Sequence, residues 1–297
     1  MLSKSNITKY SAALIVFAAG VFFTLFGHAP TKATKTSSST NKTSVEVNSS
    51  VSEATKTDNS ADTAFAPVNK AVSKVDVHAI ANKSELNNYV LKVIPSYDGG
   101  RYPYLLNNDY DHYNGVTENI IYQGSPIAKA NPNGSKSSHC VGLTYEVFFK
   151  AMKERNKEAG ISPDNFNNMT LNNMRDFMLT WYDAVGTPKS KGDQLAGAIV
   201  KYGLGNQITR LEDAKAGDFI DFSRTKSGHT AVFINWLRDD KGNIVGFKFW
   251  STQESTNGIA YKQEYFSDNP KGAFKGTVNR NQLYIGRVGS ITNYKSY

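Results

Sequence analysis

The chain has 297 residues, of which 34 are Lys or Arg and 26 are Asp or Glu, giving a net charge of +8. Half of this excess lies in residues 1–75, so the remainder is only mildly basic, which is compatible with anionic wall polymers and too weak to indicate nucleic-acid binding. There is one cysteine, which excludes an internal disulfide and zinc sites built from cysteine pairs.

The N-terminal part predicts export. Residues 11–26 are apolar and uncharged, follow two lysines, and are shorter than the ~20 residues of a full membrane span, which indicates a signal peptide or signal anchor over residues 1–30. Residues 31–75 are rich in Ser, Thr, Asn and Lys and predict a disordered spacer. We therefore expect a secreted or cell-surface protein, with residues 11–26 as a candidate membrane tether.

Residues 76–297 fit one domain of ordinary size. Ser84 is predicted to cap a helix whose apolar face includes Leu86 and Val93 and which ends at Pro95. The polar segment 105–138 predicts one long loop, and loops of that length are usually functional.

The second half of the chain changes from helical to strand periodicity. Apolar residues at helical spacing predict a helix that starts at Cys140 and two more over residues 170–182 and 192–202. Four strands are then predicted, at residues 216–222, 228–236, 245–253 and 283–288, with a hairpin turn at 239–243. Helices followed by an antiparallel sheet predict an α+β fold.

Cys140 is the first candidate catalytic residue. Exported proteins usually pair their cysteines, so a lone thiol is a reactive group, an inert buried side chain or a link to another chain. Its place at the start of a predicted helix favours reactivity, because the positive end of the helix dipole stabilises a thiolate. Position alone leaves these interpretations open.

A thiol nucleophile needs a base, and His229 is the best placed of the five histidines. It begins an apolar strand, so a helix packed on that strand could bring Cys140 and His229 together. The alternative is a histidine buried in the core.

Gln253 is the candidate that orients the histidine. A three-residue hairpin loop ending at Gly242 in the left-handed conformation sets a register in which Gln253 lies opposite His229. The glutamine oxygen could then accept a ring N–H of His229. If the register shifts, Ser251 is the nearest alternative.

Further residues could bind substrate or a metal. The backbone N–H of Cys140 is the expected oxyanion donor, with His139 or Tyr104 as a second donor and Ser251 as a further substrate contact. Three residues with ligand side chains, Asp109, Asp111 and His112, could join His139 and Cys140 in a metal site. Because no regular ligand spacing links them, we expect neither a metal nor a cofactor.

Three motifs together resemble a known family. "HCVGLTYEVF" at a helix start, "AKAGDFIDF" at a strand start and "SGHTAVFINW" on the next strand resemble the NlpC-type papain-like cysteine peptidases of bacterial cell walls. The matching positions are Cys140, Gly142, Leu143, Gly217, Asp218, Gly228 and His229. The Arg101–Tyr104 segment and the terminal "LYIGRV" also resemble family segments. Three features differ: His139 stands where the family usually has Asp, the connecting segments are longer, and the third catalytic position is not a plain His.

The resemblance implies a papain-like fold, with N-terminal helices packed on a C-terminal antiparallel sheet. It also implies peptide stems of peptidoglycan as substrate, and the family allows His, Asn or Gln at the third catalytic position. We expect a monomeric cysteine hydrolase that cuts an amide or peptide bond through a thioester, using Cys140, His229 and Gln253. The alternatives are a non-catalytic wall-binding module and an acyltransferase or transglutaminase-like enzyme.

Overall fold

A computed structural model describes residues 77–106, 109–184, 194–270, 272 and 274–297, so the predictions for residues 1–75 lie outside the described residues. The fold is α+β. The helices are α1 (Val77–Lys83), α2 (Asn87–Val93), α3 (Cys140–Glu158), α4 (Leu171–Trp181) and α5 (Gln194–Lys201). The strands are β1 (Ile120–Tyr122), β2 (Ser125–Ala128), β3 (Gly205–Ile208), β4 (Phe219–Arg224), β5 (Gly228–Arg238), β6 (Ile244–Gln253), β7 (Gly258–Tyr265) and β8 (Val278–Val288).

Six strands form one antiparallel sheet in the order β3-β8-β4-β5-β6-β7. Helices α1 to α5 precede all six strands of this sheet in the chain, as the change of periodicity predicted. Within the described ranges, no helix is both long enough and apolar enough to cross a membrane.

The sheet is buried on both faces. One face carries Phe219, Val232 and Trp250 and packs with helices α2 to α5 into the larger core. The other face packs its own aromatic side chains into a second core, which includes Phe222 and Phe249. Because successive residues of a strand point to opposite faces, each central strand contributes to both cores.

Two predicted features of the first half are wrong, and several elements of the structure were not predicted. Ser84 does not cap α2: its hydroxyl donates to the carbonyl of Ile80, and the residue before α2 is Leu86. The segment 105–138 is not one loop, because β1 and β2 form a hairpin within it. Helix α1 and strands β3 and β7 also had no counterpart in the prediction. Helix α1 and strand β3 are short and give little periodicity to detect.

The β5–β6 hairpin confirms the predicted turn and most of its register. Gly242 has a φ of 83°, in the left-handed region. Val232 pairs with Trp250 and Phe233 with Phe249, which is the expected register at the far end of the hairpin. Between these pairs and the turn, each strand carries one extra residue, and the two irregularities cancel.

Candidate active site

Cys140 lies where α3 meets the sheet. It is the first residue of α3 and is partly exposed. Hydrogen bonds from the backbone and hydroxyl of Thr230 reach its sulfur, and Thr144, one turn along α3, donates to the Thr230 hydroxyl at 3.3 Å. Thr230 therefore points from β5 toward the helix, on the face of the sheet that carries the larger core.

The electrostatics of the thiol are mixed. Burial raises the pKa of Cys140, and the carboxylate of Asp221 raises it further. The hydrogen bonds from Thr230 and from the Val141 N–H lower it, because they stabilise the thiolate. Burial outweighs the lowering contributions, so Cys140 is mainly a neutral thiol near pH 7.

The structure does not bring His229 to Cys140. His229 precedes Thr230 on β5 and therefore points to the opposite face of the sheet. Its ring packs edge-on against Phe222 and Phe249 in the second core, with centroid separations of 5.4 and 5.6 Å. The predicted Cys–His pair is therefore wrong in this structure, and the alternative of a buried histidine describes His229 better. Burial lowers the pKa of His229 well below its usual value, so the ring is neutral.

Gln253 does lie on the same face as His229, as the register predicted, but its oxygen accepts from Arg224 at 3.2 Å. Ser251 is buried, and its hydroxyl donates to the carbonyl of Thr230 at 2.8 Å. That bond fixes the neighbouring strands to each other, so the structure gives Ser251 a structural contact in place of the predicted substrate contact.

Tyr104 and His139 do lie beside the thiol, with different roles. Tyr104 is joined to Ser138 by a β-bridge, and its pKa rises to about 12 through burial and the nearby Cys140. His139 is the N-cap of α3: its Nδ1 accepts the N–H of Gly142 at 3.4 Å. The predicted oxyanion donor His139 is instead committed to holding the start of the helix.

The sequence analysis missed three residues near the thiol. Asp221 pairs with Thr230 across β4 and β5, and both lie on the helix-facing side. Tyr110 also lies close enough for Cys140 to raise its pKa, after burial, the larger cause. The sequence does contain a signal for Asp221. This residue lies two positions after Phe219 on a buried strand, and a carboxylate there must face either a core or a functional site.

The candidate metal ligands do not converge. The exposed His112 bonds Asp109 at 3.0 Å, whereas His139 is enclosed by tyrosine rings. Across the described ranges, no group of three or more His, Cys, Asp or Glu side chains could hold a metal ion.

Comparisons with known proteins do not assign the chain to a family. No family model matches the chain, and no curated protein or solved structure matches it either.

Proposed function

We propose that the chain is a thiol-dependent hydrolase of amide or peptide bonds with Cys140 as its nucleophile. The main support is the setting of the thiol: it is partly exposed at the first residue of a 19-residue helix, with Thr230 donating to the sulfur and Asp221 beside it. The helix dipole and these donors oppose the effect of burial, which keeps the thiol neutral until Asp221 takes its proton. Among the ionisable side chains, Asp221 faces the thiol and His229 does not.

The chemistry follows from these positions. Asp221 accepts the thiol proton as the sulfur of Cys140 attacks the substrate carbonyl carbon. The N–H of Cys140, in the first turn of the helix, donates to the oxyanion that forms. The proton then passes to the leaving amine and a thioester remains. Water attacks the thioester, Asp221 accepts its proton, and the carboxylic acid product leaves with the thiol restored.

The substrate proposal rests on the resemblance and on the tyrosines beside the thiol. The motifs around Cys140 and Asp218 resemble those of NlpC-type peptidases, and α3 packs against an antiparallel sheet as a papain-like arrangement requires. Tyr104 and Tyr110 lie close enough to Cys140 for its charge to raise their pKa, and they offer aromatic surface and hydroxyls to a substrate. We therefore propose peptide stems of a bacterial cell wall as the substrate and an exported, monomeric enzyme without a cofactor.

Digestion of purified peptidoglycan by the full-length chain tests the proposal. Mass spectrometry should show fragments that have gained one water, and Cys140→Ala should abolish their release. Asp221→Asn should lower kcat by roughly two to four orders of magnitude, since a positioned general base contributes that much. Asp240→Asn, in the exposed hairpin turn, is the matched control and should leave the rate unchanged. Release of the same fragments by Cys140→Ala would refute the nucleophile.

Thiol alkylation separates a basic role for Asp221 from a structural one. Removing the carboxylate lowers the pKa of Cys140, so Asp221→Asn should be alkylated faster than the natural protein at pH 7 while hydrolysing more slowly. If alkylation and hydrolysis both slow down, Asp221 only supports the fold of the site.

A second candidate is a non-catalytic wall-binding module. The observation that favours it is the raised pKa of Cys140 together with a histidine turned to the opposite face. In that case the natural protein and Cys140→Ala would sediment equally with peptidoglycan and neither would release fragments. Addition of an amine in place of water would instead identify an acyltransferase.

A further inference from the structure

A cluster of polar side chains lies on the sheet face opposite Cys140. It consists of Arg224 on β4, His229 on β5, Gln253 on β6, and Lys262 and Glu264 on β7, and is called here the strand-end site. These residues share one face, because Lys262 and Glu264 pair with Phe249 and Phe247 of the second core. None of them has a role in the hydrolysis proposed above.

Two buried nitrogen atoms of this site have no hydrogen-bond partner among the described residues. They are Nε2 of His229 and Nε2 of Gln253, on side chains of residues that are only 5% and 8% exposed. Buried polar groups are almost always paired, so two such atoms on neighbouring strands call for an explanation. The register of β5 and β6, continued past Val232, sets these two residues opposite each other.

The hydrogen bonds of the cluster fix what each atom can offer. Arg224 donates to both oxygens of Glu264, at 2.7 and 2.5 Å, and to the oxygen of Gln253 at 3.2 Å. The Gln253 oxygen is therefore occupied by a donor, and the unpartnered end is its NH2 group. The site thus presents amide donors next to an imidazole nitrogen, and both suit an oxygen acceptor.

The charges of the cluster favour an anion. The Nζ atom of Lys262 lies 3.9 Å from Oε1 of Glu264, which also pairs with Arg224. Two cations therefore share one carboxylate, and the cluster has one positive charge in excess. The aromatic rings of Phe222 and Phe249 border the histidine ring. A planar monoanion matches one excess charge and flat aromatic walls better than a dianion such as phosphate does.

The strand-end site borders solvent, because the side chains of Arg224 and Lys262 are 17% and 35% exposed. We propose that the strand-end site binds one carboxylate group, such as that of a small acid or of a peptide C-terminus, through the Gln253 amide and the His229 ring. Binding would place an anion beside the histidine and stabilise its protonated form.

The test uses the full-length chain with acetate as the probe. The NMR signal of the His229 ring, assigned with a His229→Gln variant, is followed during titration with acetate and with chloride at equal ionic strength. Acetate should shift this signal saturably and raise the pKa of the histidine, whereas chloride and the neutral isostere acetamide should not. Equal responses to acetate and acetamide, or no response to acetate, would overturn the proposal.

Gln253→Glu gives an independent test, because it replaces the donor by a carboxylate of the same shape. Acetate binding should weaken at least tenfold, and the pKa of His229 should rise without any acetate. Gln263→Glu, at an exposed position of β7, is the matched control and should bind acetate as the natural protein does. Unchanged acetate binding by Gln253→Glu would also overturn the proposal. Because no turnover is measured, this test is independent of the role of Cys140.

Discussion

His139 makes the start of α3 sensitive to acid. Its Nδ1 accepts the N–H of Gly142, so a neutral ring must carry its proton on Nε2. Tyrosine rings surround it, at centroid separations of 6.1 Å for Tyr110, 5.8 Å for Tyr113 and 6.2 Å for Tyr182. Burial among them lowers the pKa of His139 to about 4. Protonation of Nδ1 would turn the acceptor of the helix cap into a donor.

The size and sign of the effect on the free energy of unfolding follow from the protonation of His139 in the folded and in the unfolded chain. The histidine of the unfolded chain binds its proton near pH 6.5, and the folded protein does so only near pH 4. Between these values the unfolded state holds more protons, so the free energy of unfolding falls as the pH falls. Each pH unit contributes about 1.4 kcal/mol, which gives a total loss of roughly 3 kcal/mol from this one residue.

Urea unfolding at pH values between 4.5 and 7.5 measures this contribution. His139→Asn keeps an oxygen that can cap the helix and removes the titrating group. The variant should lose less stability on acidification than the natural protein, by about 3 kcal/mol over the full window. Other groups titrate equally in both proteins, so the difference isolates His139. His112→Asn, at an exposed histidine, should behave as the natural protein does.

Parallel pH dependences for the natural protein and His139→Asn would refute the reasoning. That result would mean that the ring of His139 is protonated at the same pH in the folded and unfolded chains, and hence that it is not enclosed by the tyrosines.

Three further predictions concern the fold around the site. Glu146→Leu should cost roughly 3–5 kcal/mol in urea unfolding, because the fully buried carboxylate accepts from a tyrosine, a threonine and a lysine that would lose their partner. Gly115→Ala should destabilise more than Gly134→Ala: both have φ near +75 to +80°, but only at Gly115 would the new Cβ collide with the His139 ring. Equal melting temperatures for the two would contradict the packing of that ring. Phe148→Ala should cost about 3–5 kcal/mol by opening a cavity in the larger core, and a loss below 1 kcal/mol would contradict its burial.

Local sequence signals predicted the elements that position the thiol. The change from a polar segment to helical spacing placed the start of a helix at Cys140, where α3 begins. The Asp-Lys-Gly turn predicted the β5–β6 hairpin and the far-end register that sets Gln253 opposite His229. Both signals lie within a few residues of the feature that they predict, and local chain conformation depends mainly on such near neighbours.

Only the tertiary structure decided which side chains meet Cys140. Every residue from His229 to Phe233 is buried, so this strand shows no alternation between an inner and an outer face. A shift of one residue exchanges the faces of a strand, and here it exchanges Thr230 for His229 as the neighbour of the thiol. The helices cover the face of the sheet that carries Thr230. Which face they cover depends on packing between residues far apart in the chain. The sequence by itself therefore determined that a thiol begins a helix above a sheet, whereas the packing of two buried faces determined its partners.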